Sequence, residues 1–175
     1  MKKIAVIIAN GTEEIEAITP IDVLRRCEDA KVDVFGVGGK EVKGSHGIKL
    51  KADKDVEDLD MNLYDAIVLP GGMPGATNLA DCAEVTVALR RAFGRDKVVA
   101  AICASPAVIL ADGGFIDGMC ATCYPNKTFK AMMDCCEYTG ADVEIDDKLI
   151  TANGPKAAME FALAICEVLE LEPKF

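Results

Sequence analysis

Residues 98–106 form the stretch Val98-Val99-Ala100-Ala101-Ile102-Cys103-Ala104-Ser105-Pro106, in which an apolar run meets a cysteine and turns at once into helical sequence. An uninterrupted apolar run of this length is typical of a parallel β-strand that is covered on both faces. Pro106 favours a helix start, because its missing N–H is tolerated in the first turn. We therefore expect Cys103 at the carboxyl end of a strand, where open α/β sheets bind their ligands.

Cys103 is the first candidate functional residue. A thiol at a helix start meets unpaired N–H groups and the positive end of the helix dipole, and both stabilise a thiolate. The alternative is a small core residue that happens to end a strand, as most unpaired cysteines are. Position alone does not separate a reactive Cys103 from a buried one.

Strand and helix patterns alternate along the chain and predict a single α/β domain over residues 1–175. Repeated β-α-β units with continuous apolar strands imply a doubly wound, mostly parallel central sheet with helices on both faces. The predicted strands are Lys3–Ala9, Val32–Val37, Tyr64–Leu69, Val98–Ile102, Cys120–Cys123, Cys135–Tyr138, Val143–Ile145 and Leu149–Ala152. The predicted helices are Glu13–Cys27, Glu84–Phe93, Pro106–Ala111 and Lys156–Leu169, and Gly44–Leu50 is a candidate hairpin arm.

The composition excludes several classes of protein. A hydrophobic fraction of 51% rules out a disordered chain, and the longest apolar runs are too short to span a bilayer. The net charge of −10 argues against nucleic acid and anionic membranes as partners. Residues 1–10 are rich in β-branched residues and continue without a cleavage pattern, so they predict a strand rather than a signal peptide. We expect a cytoplasmic protein.

Eight cysteines and a single histidine give little basis for a metal site. The cysteines lie mostly in apolar segments, as the reduced thiols of cytosolic proteins do. Cys120 and Cys123 form a C-x-x-C pair, but within a strand their side chains would face opposite ways. We expect neither a metal nor an organic cofactor.

Two segments that open at the same edge of the sheet supply further candidates. Glu16 lies in an apolar part of the first helix and is the best candidate for a buried acid that tunes the thiol, whereas Glu13 and Glu14 fit helix capping. Gly71 and Gly72 could bring backbone N–H groups close to a ligand oxygen, or could simply form a tight turn.

Taken together, these segments resemble the ThiJ/PfpI superfamily, and within it the branch of the Parkinson's-disease-associated protein deglycase and its bacterial relatives. The matching motifs are Ala9–Glu16, Leu69–Gly72 and Ala100–Pro106, and the resemblance continues through Asn153–Pro155 and Phe161–Ile165. It covers nearly the whole chain. The resemblance implies a flavodoxin-like sandwich, usually assembled as a homodimer.

The resemblance also implies the roles of individual residues. It implies a strained elbow at Cys103, with Glu16 as a protonated partner that is hydrogen-bonded to the sulfur. The backbone N–H groups of Gly71, Gly72 and Ala104 would surround a bound oxygen. Activities in the family include glutathione-independent conversion of methylglyoxal to lactate, repair of early glycation adducts, chaperone-like holding and oxidation sensing, and some distant members are peptidases.

Three positions qualify what the resemblance implies. Tyr124 stands where many members have a histidine, so no Cys–His pair is available there and peptidase activity is not expected. His46 has two interpretations. It is an exposed loop residue, or it reaches the pocket of a second subunit, since relatives place polar or basic residues here near the dimer interface. The chain ends at Phe175, whereas longer relatives carry a further helix, which implies a more open pocket.

Two hypotheses from different classes emerge. In the first, the chain is a stress-defence enzyme whose Cys103 attacks the aldehyde carbon of methylglyoxal or glyoxal while Glu16 moves protons. In the second, it is an oxidative-stress sensor or holdase chaperone that acts through oxidation of Cys103, without significant turnover. Both hypotheses need the same activated thiol, so the sequence does not separate them.

Overall fold

The computed structural model describes all 175 residues and is built around a central seven-stranded sheet. The strands are β1 Lys2–Ile8, β2 Ala30–Gly36, β3 Glu41–Lys43, β4 Lys49–Lys51, β5 Lys54–Asp55, β6 Ala66–Leu69, β7 Val98–Ile102, β8 Cys120–Ala121, β9 Glu137–Tyr138, β10 Val143–Asp146 and β11 Leu149–Ala152. The α-helices are α1 Glu14–Arg25, α2 Gly75–Ala80, α3 Ala83–Gly94, α4 Lys127–Met132 and α5 Ala158–Leu169. Pro106–Ala111 is π-helical, and 3-10 turns occupy Val56–Asp58, Met61–Leu63, Met133–Cys135 and Pro155–Ala157.

The sheet has the mostly parallel topology that the sequence predicts. Its strands lie in the order β10-β11-β7-β6-β1-β2-β5, and only β10 runs antiparallel to its neighbour. Helix α1 connects β1 to β2, and α2 and α3 connect β6 to β7, as parallel strands require a crossover. This order places β1, β6 and β7 side by side, so the loops at their carboxyl ends meet at one edge of the sheet.

The core has two layers, one on each face of the sheet. Along β1, Ile4 and Val6 join the layer that includes α1 and α5, whereas Ala5 and Ile7 join the layer that includes α3. A strand whose successive side chains are all buried is the arrangement expected of a sheet covered on both faces. The predicted α/β sandwich, with helices on both faces, is therefore confirmed.

The helices depart from the sequence prediction in two ways. Helix α1 begins at Glu14, with Glu13 as its N-cap, and ends at Arg25, within the predicted Glu13–Cys27. The short helices α2 and α4 were not predicted, because each has six residues and α4 buries none of its side chains, which leaves no apolar periodicity to detect.

The small strands also differ from prediction. Gly44–Leu50 is not a single hairpin arm, because residues 44–48 form the turn that joins β3 to β4. The strand expected at Cys120–Cys123 ends at Ala121, since the Thr122 N–H donates to the side-chain hydroxyl of Thr151 rather than to a backbone carbonyl of a neighbouring strand. None of the helices combines the length and the apolar character that crossing a membrane requires.

Candidate active site

Cys103 follows β7 directly and has a backbone φ of +66°. A non-glycine residue in the left-handed region is uncommon and costs conformational energy, so the surroundings must hold it there. The Cys103 N–H donates to the Ala152 carbonyl oxygen at 2.8 Å, and its own carbonyl oxygen accepts from the Tyr124 N–H at 2.8 Å. The Ser105 hydroxyl donates to the Pro70 carbonyl oxygen at 2.6 Å and joins the neighbouring loop to this turn. Contacts from three loops thus fix the elbow that carries the thiol.

Gly71 packs against both the Cys103 side chain and the Glu16 carboxyl. A Cβ atom at Gly71 would lie 2.5 Å from Glu16 Oε2, 2.6 Å from Cys103 Cβ and 2.7 Å from the Ile102 carbonyl oxygen, so only glycine fits. Its N–H donates to Glu16 Oε2 at 2.9 Å. This N–H therefore holds the Glu16 carboxyl, and contact of the Gly71 amide with a bound oxygen stays a prediction.

Glu16 is fully buried in the first turn of α1 and is tied at one oxygen only. Its Oε1 atom has no other hydrogen-bond partner, and the Cys103 thiol is the side chain that the carboxyl faces. Burial raises the pKa of Glu16 from 4.5 to about 7; the nearby charge of Glu13 adds to this, while hydrogen bonds with Cys103 and the Gly71 N–H oppose it. Glu16 is therefore a carboxyl that takes up and releases a proton near neutral pH.

The Cys103 thiol responds to the protonation of Glu16. Burial raises the pKa of Cys103 above its usual range, and the charge of Glu16 and a hydrogen bond to it raise it further, whereas the N–H groups of Gly72 and Ala104 lower it. The amides at the helix start thus favour a thiolate, as the sequence predicts, while burial and the adjacent carboxylate oppose it. When Glu16 is protonated, the repulsion disappears and its O–H can donate to the sulfur.

The chain matches the model of the DJ-1/PfpI family over residues 2–168. The chain belongs to the DJ-1/PfpI family. Among curated relatives of this DJ-1/PfpI protein, the Parkinson disease protein 7 homolog of Danio rerio is 40% identical over 171 residues, covering 96% of this chain and 89% of that protein. The glutathione-independent glyoxalase DJR-1.2 of Caenorhabditis elegans is 36% identical over 158 residues, covering 90% of this chain and 83% of that protein.

Solved structures of the DJ-1/PfpI family share the architecture. The oxidized DJ-1 of Toxoplasma gondii superposes with a TM-score of 0.90 at 40% identity, covering 97% of this chain and 91% of that one. This agreement confirms the flavodoxin-like α/β fold that the resemblance implied. Some relatives are much longer: the chain spans only 38% of the length of the DJ-1 homolog B of Arabidopsis thaliana, to which it is 37% identical.

Tyr124 borders a pocket beside the DJ-1/PfpI elbow. The pocket measures about 300 Å³, and its lining comes from the two loops whose backbone bonds to Cys103, namely Tyr124, Pro125, Asn153, Gly154, Pro155 and Lys156. The Tyr124 ring packs over Gly154, where a Cβ would lie 3.2 Å from it, and 44% of the residue is exposed. Tyr124 thus lies between this pocket and solvent.

Glu14 has a role that the sequence did not indicate. Glu13 caps α1 as expected, because its Oε2 accepts from the Glu16 N–H at 2.9 Å. Glu14 is instead buried against the turn 44–48: its Oε1 accepts from the N–H groups of His46 at 2.8 Å and Ile48 at 3.3 Å. Burial opposes ionisation, but hydrogen bonds from the His46 side chain and backbone outweigh it and lower the pKa of Glu14 to about 2.

His46 contacts the start of α1. Its Nδ1 lies 3.0 Å from Glu14 Oε2 and 3.6 Å from Glu13 Oε1, and its side chain is 72% exposed. One ligand atom from each of these three residues falls within 4.8 Å of the others, a donor set for a metal that sequence spacing did not reveal. Because the hydrogen bonds to Glu14 already account for the position of the ring, we assign His46 to the attachment of the turn.

Proposed function

We propose that this chain is a cofactor-free cysteine enzyme that converts small reactive carbonyls, such as methylglyoxal and glyoxal, to hydroxy acids. The observation that carries the proposal is the buried Glu16 carboxyl, which faces the Cys103 thiol and keeps one oxygen free of other partners. A carboxyl with a pKa of about 7 is suited to both giving and taking a proton at neutral pH. The relative named a glutathione-independent glyoxalase supports the same class of substrate.

In the first step, the Glu16 carboxylate removes the proton of the Cys103 thiol, and the sulfur forms a bond to the aldehyde carbon of the substrate. The electron pair of the C=O bond moves to the oxygen, and the N–H groups of Gly72 and Ala104, which contact the sulfur, would stabilise this oxyanion. Glu16 then donates its proton to the oxygen. The product of this step is a hemithioacetal.

In the second step, the Glu16 carboxylate removes the hydrogen of the former aldehyde carbon as a proton and returns it to the neighbouring carbon, while the hydroxyl proton moves to the oxygen on that neighbouring carbon. The aldehyde carbon is thereby oxidised to a thioester and the adjacent carbonyl carbon is reduced to an alcohol, so no external oxidant is needed. Water hydrolyses the thioester, which releases the hydroxy acid and restores the Cys103 thiol. The net reaction adds one water molecule, giving lactate from methylglyoxal and glycolate from glyoxal.

We also propose that the protein acts as a homodimer. Ile15 and Ile18 on α1 are 52% and 46% exposed, and Ile48, on the turn that Glu14 holds against α1, is 56% exposed. Adjacent exposed apolar side chains are typical of surfaces that bind another protein, and a twofold interface would bury the same patch on both subunits. Ile18→Lys should therefore yield a monomer in light scattering, whereas Leu63→Lys, at an equally exposed apolar position outside this patch, should not.

The test of catalysis is a lactate assay with purified protein, methylglyoxal and no glutathione. Cys103→Ser should reduce lactate formation to the uncatalysed level, because a hydroxyl is a far weaker nucleophile than a thiolate. The matched control is Cys135→Ser, which changes an exposed cysteine and should retain full activity. Equal lactate production by the wild type and Cys103→Ser would defeat the proposal.

A second function is favoured by the partial exposure of Cys103 beside hydrogen-bond donors. Peroxide could convert its sulfur to sulfenic and then sulfinic acid, whose oxygens would accept from Glu16 and the neighbouring amides. An oxidative-stress sensor or holdase predicts no lactate, together with selective addition of two oxygen atoms at Cys103 and a changed melting temperature. Cytoplasmic location and a role in stress defence are part of both proposals.

A further inference from the structure

Cys27 and Cys166 form a pair of buried thiols away from the site of Cys103. Their sulfur atoms are 3.9 Å apart although the residues are 139 positions apart in the chain. Cys27 follows the end of α1, and Cys166 lies in α5, the helix that packs against α1. Only 4% of Cys27 and 2% of Cys166 are exposed. Neither the proposed catalysis nor the proposed oxidation of Cys103 uses this pair.

The residues after α5 cover the two sulfurs. The Leu171 N–H donates to the Cys166 carbonyl oxygen at 2.8 Å, Pro173 forms an isolated bridge with Cys27, and the Lys174 N–H reaches the Arg26 carbonyl oxygen at 3.3 Å. Beyond Leu171 this cover is half-exposed or fully exposed, and its other contacts are also at the surface: an ion pair of Lys174 with Glu28 and the Phe175 ring against Arg26. Segments with few buried contacts open locally at a small free-energy cost, which would admit a small oxidant.

We propose that Cys27 and Cys166 form a disulfide when the protein meets a hydroperoxide, and that this pair is a redox site independent of Cys103. One thiolate attacks the peroxide, which gives a sulfenic acid and releases hydroxide or water. The second sulfur then displaces the sulfenic oxygen as water and forms the S–S bond. Two thiols and one hydrogen peroxide thus give one disulfide and two water molecules.

The geometry requires only a local adjustment. A disulfide has an S–S distance of about 2.05 Å, so the sulfurs must approach by about 2 Å. Cys27 can supply this movement, because it lies beyond the helix end and its thiol makes only a long contact of 3.7 Å with the Val23 carbonyl oxygen. Burial and the neighbouring Cys27 raise the pKa of Cys166 to about 12, so we expect this oxidation to be slower than that of Cys103.

The disulfide would join the end of α1 to α5 across a long loop. Cross-links that close long loops restrict the unfolded chain most strongly, and for a chain of this size the stabilisation corresponds to a rise of about 10 °C in melting temperature. A sulfinic acid on Cys103 closes no loop. The two oxidations therefore differ in both mass change and stability change.

The experiment treats the wild type and Cys103→Ser with hydrogen peroxide, blocks the remaining thiols under denaturing conditions, and maps the tryptic peptides. Trypsin releases Cys27 in peptide 27–31 and Cys166 in peptide 157–174, each of which contains a single cysteine. We expect both proteins to lose two hydrogens and to yield these peptides joined, with separation on reduction. Two results would overturn the proposal. One is that both peptides still carry free thiols when Cys103 of the wild type is fully oxidised. The other is a disulfide from Cys27 or Cys166 to a third cysteine.

Variants provide the matched control for the stability change. Cys27→Ala should lose the peroxide-dependent rise in melting temperature, whereas Cys82→Ala, which alters another buried cysteine whose thiol donates to Glu84, should keep it. An equal rise in Cys27→Ala would contradict the assignment. If Cys27→Ala does not fold, the peptide map of the wild type still decides the outcome, because it requires no substitution.

Discussion

Replacing Glu16 with glutamine should make the protein more stable at high pH than the wild type. Glutamine keeps an oxygen for the Gly71 N–H, which now donates to Glu16 Oε2 at 2.9 Å, and its NH₂ group can donate toward the Cys103 sulfur. The substitution removes only the ability to ionise. Any difference in pH dependence between the two proteins therefore reports the cost of charging a fully buried carboxyl.

The magnitude is set by the pKa of Glu16, which is raised from 4.5 to about 7 by burial. Between pH 4.5 and pH 7 the folded protein keeps a proton on Glu16 that the unfolded chain has lost. The stabilisation that comes from the higher pKa is therefore fully present below about pH 4.5 and is lost as the pH rises through 7. The shift corresponds to about 3 kcal/mol. The stability of Glu16→Gln relative to the wild type should therefore increase by about 3 kcal/mol between about pH 4.5 and about pH 8.

Urea unfolding of both proteins across this pH range measures the difference directly. Glu14→Gln is the control of opposite sign, because the pKa of Glu14 is lowered to about 2 by hydrogen bonds that outweigh its burial. Glu14→Gln should be less stable than the wild type by the full amount above the usual carboxyl pKa of 4.5, and this difference should disappear as the pH falls toward 2. A constant difference between Glu16→Gln and the wild type at every pH would refute the inference that Glu16 binds its proton near neutrality.

Other predictions concern the thiol and its neighbours. Glu16→Gln should lower the pKa of Cys103, since the carboxylate raises it, and should also abolish lactate formation; an unchanged pH midpoint for iodoacetamide labelling of the Cys103 peptide would contradict the coupling. Gly71→Ala should destabilise the protein by about 2 kcal/mol or more. Gly94→Ala, whose added Cβ has nothing within 4 Å, should be neutral or slightly stabilising. Equal melting temperatures for the two variants would contradict this prediction. Tyr124→His should maintain or raise the rate of lactate formation, because histidine exchanges protons near neutral pH, and a lower rate would argue against a catalytic role for a base there. No Cys103-dependent cleavage of casein should be detectable.

The parts of the structure that local signals determine could be predicted from the sequence. The continuous apolar run of β7 and the proline after it place Cys103 at a strand end, and the apolar neighbours of Glu16 indicate a buried acid. Alternating strand and helix patterns were sufficient for the parallel sheet, because crossover connections allow few other topologies.

The parts that could not be predicted depend on partners far apart in the chain. The Gly71 N–H meets Glu16 across 55 positions, and Glu14 meets His46 across 32, so no spacing rule connects these residues. The helix start at Cys103 and the burial of Glu16 were indicated by the sequence, but the close packing of Gly71 against both side chains was not.

The first turn of α1 has a consequence for how the chain can vary. Glu13 caps the helix, Glu14 attaches the turn 44–48, and Glu16 faces the thiol, so three successive contacts depend on their relative rotation about one axis. Deleting or inserting a single residue here would rotate the remainder of the helix by about 100°, which would point the carboxyl away from the sulfur whatever residue types were kept. A substitution between Glu13 and Glu16 alters one of these contacts, whereas a change in the length of the segment would disrupt the geometry of several at once.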